Sequence, residues 1–115
     1  MTTAEREIAF KEWMLRHHKR GGHGNFKESS VRGYASHLRN WRKHIRNEKI
    51  EAIASYPDNL FDLEESLRVG EFIATIRALA DFSEYIGKNH HNLDNALSLY
   101  EEFLTECRMR GNDHV

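Results

Sequence analysis

Apolar residues recur every three or four positions along most of the chain, which is the spacing of amphipathic helices. The first such segment predicts a helix over residues 4–19, whose main apolar face carries Ala9, Phe10, Trp13, Met14 and His17. Thr2 and Glu5 have the three-residue spacing of a capping box, which closes a helix N-terminus. Ile8 and Leu15 lie on the opposite side of this helix. We therefore expect it to be covered on two sides or to form part of an association surface.

A glycine-rich basic segment, residues 19–30, separates the first predicted helix from the second. Its glycines end a helix and permit positive φ, but their spacing matches neither a P-loop nor a dinucleotide fingerprint. We interpret the segment as a flexible basic connection that Phe26 anchors. A second helix is predicted over residues 31–47, with Ser29 or Ser30 as its N-cap. Its apolar face carries Val31, Tyr34, Leu38, Trp41 and Ile45.

The rest of the chain also has helical periodicity. Pro57 disfavours helical backbone at the residue before it, which predicts a break at residues 56–59. A short third helix over residues 60–67 follows, and Gly70 is expected to separate it from a strongly apolar helix over residues 72–86. The last helix is predicted over residues 93–109, and its other side is acidic, so that side should not face nucleic acid. Its apolar arc carries Leu93, Ala96, Leu97, Tyr100, Phe103, Leu104 and Cys107.

No stretch alternates apolar and polar residues as a half-buried strand does. The predicted fold is therefore all-α, a single compact bundle of four to five helices over residues 1–109 with a frayed tail at 110–115. The length of 115 residues fits one domain. No apolar run reaches the length of a membrane span. With one cysteine, no internal disulfide is possible, and the composition favours a reducing, cytoplasmic location.

The net charge of −1 conceals a strong asymmetry between the two halves of the chain. Residues 1–50 carry twelve Lys and Arg against five Asp and Glu, a net of +7, whereas residues 51–115 carry five against thirteen, a net of −8. Such a split indicates contact between the basic half and a polyanion. The alternative is that the two halves neutralise each other, within the fold or between copies.

The basic residues of the second predicted helix form a stripe. Arg32, Arg39, Lys43 and Arg46 fall within about 60° of arc, and Arg42 lies between them and the apolar face. Arg32, Arg39 and Arg46 are seven apart, so they stand about 10.5 Å from one another along the helix. No acid lies four residues away within the helix to relieve their repulsion. The stripe fits successive backbone phosphates, the alternative being a solvated basic face. The preceding segment would add Lys19, Arg20 and Lys27.

Candidate chemistry elsewhere is sparse. The spacing of the histidines fits no compact metal signature; those considered are His17, His18, His23, His90 and His91. Cys107 lies on an apolar arc and is expected to be a buried, inert thiol. No carboxylate pair stands out as catalytic, so we expect no metal, no cofactor and no enzymatic activity. Stacking on single-stranded bases would need exposed aromatic residues among the basic ones. Only Phe26 and Tyr34 qualify, so contact with duplex backbone is favoured.

Several residues in order suggest a family. They are Phe10, Trp13 and Met14, then Ser29-Ser30-Val31-Arg32-Gly33-Tyr34 with Leu38, then Leu60-Phe61-Asp62-Leu63, and finally Asn95-Ala96-Leu97 with Tyr100, Phe103 and Leu104. This order resembles the SAM-like, core-binding DNA-binding domain at the N-terminus of tyrosine recombinases and phage integrases. The last two groups look more like the related helical module of restriction-type endonucleases. The resemblance implies a helical bundle that grips duplex DNA through its backbone, with Ser30, Arg32 and the basic flank facing the DNA.

The chain also departs from that pattern. In those families a catalytic domain usually follows, and the second half here is unusually acidic for a DNA clamp. Two interpretations therefore remain open. The chain is either a piece of a larger recombinase or nuclease, or a stand-alone module recruited to a protein or nucleoprotein.

The leading interpretation is a non-catalytic module that binds duplex DNA. Neutralising about five phosphates predicts a salt slope of about −4 to −5. The alternative is a small helical protein-interaction module, an inhibitor or adaptor that docks on a nucleoprotein. In another version the basic and acidic halves of two copies pair into a dimer. The pattern does not distinguish DNA from RNA.

Overall fold

A computed structural model describes residues 2–16, 26–44, 55–78 and 92–111 of the chain. They contain four α-helices and two 3-10 turns, and no strand. In chain order these are α1 (Thr3–Arg16), α2 (Glu28–Arg39), a 3-10 turn (Trp41–His44), a second 3-10 turn (Leu60–Asp62), α3 (Ser66–Arg77) and α4 (Asn92–Gly111). The predicted all-α bundle is confirmed. The radius of gyration, 14.2 Å, is close to that of a compact chain of this length, about 13 Å.

The N-terminus of α1 is closed by the predicted capping box. The backbone N–H of Thr2 donates to the Glu5 carboxylate at 2.9 Å, and the N–H of Glu5 donates to Thr2 Oγ1 at 3.1 Å. These reciprocal bonds satisfy backbone donors that the helix itself leaves without partners. The same bonds hold the pKa of Glu5 below its ordinary value.

The core lies where α1, α2 and α3 pack against α4. Phe10 of α1 is fully buried at its centre, and its ring contacts those of Trp13, Phe61, Tyr100 and Phe103, with centroids 5.4 to 6.1 Å apart. Edge-to-face and offset geometries at these distances suit the quadrupoles of the rings. The aromatic positions that the helical periodicity assigns to the interior thus form one continuous cluster.

The extended segment after the second 3-10 turn is held by two polar side chains from the core. Arg6 is buried, donates to the carbonyl of Phe61, and forms an ion pair with Glu64 at 3.0 Å. The Tyr100 hydroxyl donates to the carbonyl of Leu63 at 2.6 Å. Burial raises the pKa of Tyr100, so the phenol stays protonated and remains a donor. These bonds supply partners for backbone carbonyls that no helix satisfies.

The second helix differs from the prediction at both ends. It begins at Glu28, with Lys27 as its N-cap residue, so neither Ser29 nor Ser30 caps it. It ends at Arg39, and the side chain of the next residue, Asn40, donates to the Ser36 carbonyl at 3.1 Å. Helix α2 therefore carries only part of the predicted 31–47 segment, and residues 45–47 lie outside the described ranges.

The prediction for Gly70 is wrong. Helix α3 runs through this residue without interruption, and a Cβ built on it would lie 2.7 Å from Oε2 of Glu101 on α4. The glycine thus marks a close approach of α3 to α4.

Leu60 and Phe61 form a 3-10 turn in place of a third helix, and Leu67 is exposed. The part of the predicted 72–86 helix beyond residue 78 lies outside the described ranges.

The last helix follows the prediction except near its C-terminal end. It continues to Gly111, two residues beyond the predicted boundary. The apolar residues of its arc are buried as expected, but Cys107 is exposed. The prediction of a buried thiol is therefore wrong, because the arc reaches past the elements that cover it.

Candidate nucleic-acid interface

Helix α2 packs on the core through Val31, Ala35 and Leu38, which lie on one side. The opposite side, which we call the crest, falls within about 60° of arc. The crest consists of Ser29, Gly33, Ser36 and Asn40. It holds no charged or bulky side chain, so another molecule can approach the helix closely along it.

Arg32 and Arg39 lie on the same flank of the crest, about two helical turns apart along the helix. Arg32 is exposed, and so is Lys27 at the N-cap. Neither Arg32 nor Lys27 forms an ion pair within the described part of the chain. Their charges are therefore available to an anion in solution.

Arg39 has an acidic neighbour that lies outside its own helix. Its Nη1 atom is 2.7 Å from Oε2 of Glu7 on α1, and Glu7 also pairs with Lys11 at 3.3 Å. The side chain of Arg39 remains 43% exposed, whereas that of Glu7 is 13% exposed. The repulsion at Arg39 is thus relieved by α1, and Arg39 keeps an accessible edge. The prediction that no acid lies four residues away within the helix is wrong, because α2 begins at Glu28, four residues before Arg32.

Arg42 has a structural role in the folded chain. Its Nε atom donates to Asp58 at 2.7 Å, its Nη2 donates to the carbonyl of Tyr56 at 2.7 Å, and its guanidinium lies 4.4 Å from the ring centroid of Trp41. These contacts tie the first 3-10 turn to the segment that contains Tyr56 and Asp58. Arg42 is therefore a poorer phosphate ligand than its position in the sequence suggests.

The remaining predicted site residues are only partly described. Lys43 belongs to the first 3-10 turn, but its side chain is not described. Lys19, Arg20 and Arg46 lie outside the described residues. Ser30 lies on the flank of α2 opposite Arg32 and is half-buried. Helix α2 thus brings Arg32 and Arg39 together on one flank.

A groove between α2 and α4 was not predicted as a site. Its volume is about 400 Å³, and its apolar walls are Phe26, Tyr34 and Leu99. The rings of Phe26 and Tyr34 meet edge to face, with centroids 6.1 Å apart. Phe26 therefore contacts α2, and residues 19–25 of the segment it was expected to anchor lie outside the described ranges. The polar walls come from Ser30, Asn95, Ser98 and Glu102.

Within the described ranges, no cluster of three or more His, Cys, Asp or Glu could hold a metal ion. The five histidines considered from the sequence lie outside those ranges. No helix in the described part of the chain is long and apolar enough to cross a membrane.

Comparison with protein-family models, with curated proteins and with solved structures gives no match. The resemblance to core-binding domains therefore stays a prediction.

Proposed function

We propose that the protein binds duplex DNA, without catalysing a reaction, through phosphate contacts on the flank of α2 that carries Arg32 and Arg39. The observation that carries this proposal is the combination of an exposed arginine pair and a crest without bulky side chains. Guanidinium groups bind phosphate oxygens in a forked geometry. The small crest lets the DNA backbone come close enough for both arginines to reach it.

The contacts set the expected dependence on salt. Three described cations are positioned for phosphate contact, namely Lys27, Arg32 and Arg39. Each phosphate that is neutralised contributes about −0.9 to the slope of log K against log salt on duplex DNA. These three residues would therefore supply a slope of about −3. The sequence alone predicts about −4 to −5. That value counts Arg42, which Asp58 holds, together with Lys43 and Arg46, whose side chains lie outside the described part of the chain.

The experiment is a fluorescence anisotropy titration of a labelled mixed-sequence duplex of about 30 base pairs, between about 50 and 200 mM salt. Arg32→Gln should weaken binding and make the slope shallower by about 0.9. Arg108→Gln is the matched control, since Arg108 is an exposed arginine on α4, away from this flank. Absence of binding at low salt, or equal losses in the two variants, would refute the proposal.

A second candidate function is a protein-interaction module, and exposed apolar residues on α1 favour it. Ile8 is 53% exposed and Leu15 is 40% exposed, and they lie one above the other on the side away from the core. A second copy or another protein would cover them. Sedimentation at increasing concentration tests self-association, and a constant monomer mass would exclude it. A mass increase that Leu15→Ser abolishes would support it.

A further inference from the structure

The groove between α2 and α4 has the chemistry of a nucleobase site. Phe26 and Tyr34 both line the groove and are partly buried. A flat base stacks well on an aromatic ring, and every base has such a face. Ser30 and Asn95 add hydroxyl and amide groups that can donate to or accept from a base edge. The groove volume of about 400 Å³ is within the usual range for small-molecule sites, about 300–1,000 Å³.

A shallow depression connects this groove to the crest of α2. It has a volume of about 200 Å³ and is lined by Ser29, Ser30, Gly33 and Tyr34, two of which also line the groove. Gly33 lies between the arginine flank and the groove, and no atom of the described residues lies within 4 Å of the position its Cβ would occupy. A nucleotide whose phosphate rests on the Arg32 flank can therefore cross the helix at Gly33.

The positions of the cations favour a base over a phosphate as the occupant of the groove. The cations Lys27 and Arg32 lie outside the groove, where the sugar-phosphate chain of the same nucleotide would run. One strand can thus place its phosphate and its base on surfaces of matching chemistry.

We infer that this groove receives one unpaired base of the bound nucleic acid, next to the duplex that α2 contacts. The inference rests on the proposed function, because the phosphate contacts bring the strand to the crest. A base that is already unpaired would enter most readily, since extrusion from a duplex costs unpairing and unstacking energy. The protein would then prefer junctions, bulges or ends to a continuous duplex.

The test compares two labelled probes, a blunt duplex and the same duplex with one bulged base. The protein should bind the bulged probe about 5-fold to 100-fold more tightly, which is the effect of stacking one base on an aromatic ring. Tyr34→Leu removes a ring and keeps an apolar side chain. Asn95→Phe fills the groove from an exposed position on α4. Both variants should lose the preference and still bind the blunt duplex.

Ala74→Phe is the control for an added aromatic side chain, because Ala74 is exposed on α3 and does not line the groove. It should keep the preference. Equal affinity of the wild-type protein for the two probes would overturn the inference, leave the proposed function standing, and point to a protein segment as the occupant. A preference that survives in both groove variants would also overturn it. Failure to bind either probe at low salt would refute the proposed function itself.

Discussion

The ion pair between Arg39 and Glu7 gives a test of whether the α2 flank contacts phosphate. Replacing Glu7 by Gln removes the carboxylate that lies 2.7 Å from Arg39 and 3.3 Å from Lys11. A phosphate on the open edge of Arg39 would stand about 6.5 Å from that carboxylate, where repulsion in water amounts to about 0.6 kcal/mol. Glu7→Gln should therefore strengthen DNA binding about threefold at low salt.

The same substitution should slightly destabilise the fold. An ion pair that is partly open to solvent contributes about 0 to 1 kcal/mol, so the free energy of unfolding should fall by no more than that amount. Anisotropy titration measures the gain in affinity, and urea denaturation measures the loss of stability. The two changes have opposite signs, which separates a binding effect from a folding defect.

Glu12→Gln is the control for net charge. Glu12 is exposed on α1 and makes no ion pair within the described residues, so this variant removes the same charge at another place on the helix. It should change affinity less than Glu7→Gln, because the charge it removes does not neutralise Arg39. Equal gains in affinity in the two variants would show that the effect comes from the net charge of the protein and not from Arg39. Weaker binding by Glu7→Gln would refute the phosphate role of Arg39.

Further predictions concern the stability of the fold. Gly33→Ala should raise the free energy of unfolding by about 0.5–1 kcal/mol, since the added methyl group meets no atom of the described residues. Gly70→Ala should raise the free energy of unfolding by less, because a carboxylate from α4 must move. Thermal unfolding of the two variants checks this comparison. Tyr100→Phe should cost about 1–3 kcal/mol in urea denaturation, because it removes the donor to the buried Leu63 carbonyl, and an unchanged midpoint would contradict this. The pKa of Glu5 is lowered in the folded state, so its ionised carboxylate stabilises the fold. Glu5→Ala should therefore lower the free energy of unfolding at neutral pH. This difference from the wild-type protein should disappear as the pH falls below 4.5.

Local signals in the sequence predict the helices well where side chains act on their own backbone. Thr2 and Glu5 form the expected capping box, and the apolar arc of α4 is buried up to Leu104. The end of α2 was missed because it depends on contacts across the fold. Trp41 is fully buried and donates its indole N–H to the Pro57 carbonyl at 2.8 Å, so the chain leaves the helical path after Asn40.

The candidate site was predictable only in part, for a related reason. Periodicity places Arg32 and Arg39 on one flank, but it cannot show that Glu7 and Asp58 approach Arg39 and Arg42 from distant parts of the chain. The pair Arg42–Asp58 joins the basic half to the acidic half within the fold. The charge asymmetry of the sequence is therefore partly neutralised inside one molecule.

Gly33 connects the stability of the fold with its proposed function. A glycine in the interior of a helix costs about 0.5–1 kcal/mol relative to alanine. At Gly70 an added Cβ would displace the Glu101 carboxylate of α4, whereas at Gly33 it would meet no atom of the described residues within 4 Å. Packing within the described fold therefore gives no reason for the glycine at 33. Residues that weaken a fold without an internal reason are expected at functional sites. A strand that crosses the crest of α2 would supply the external contact for which this position has to stay small.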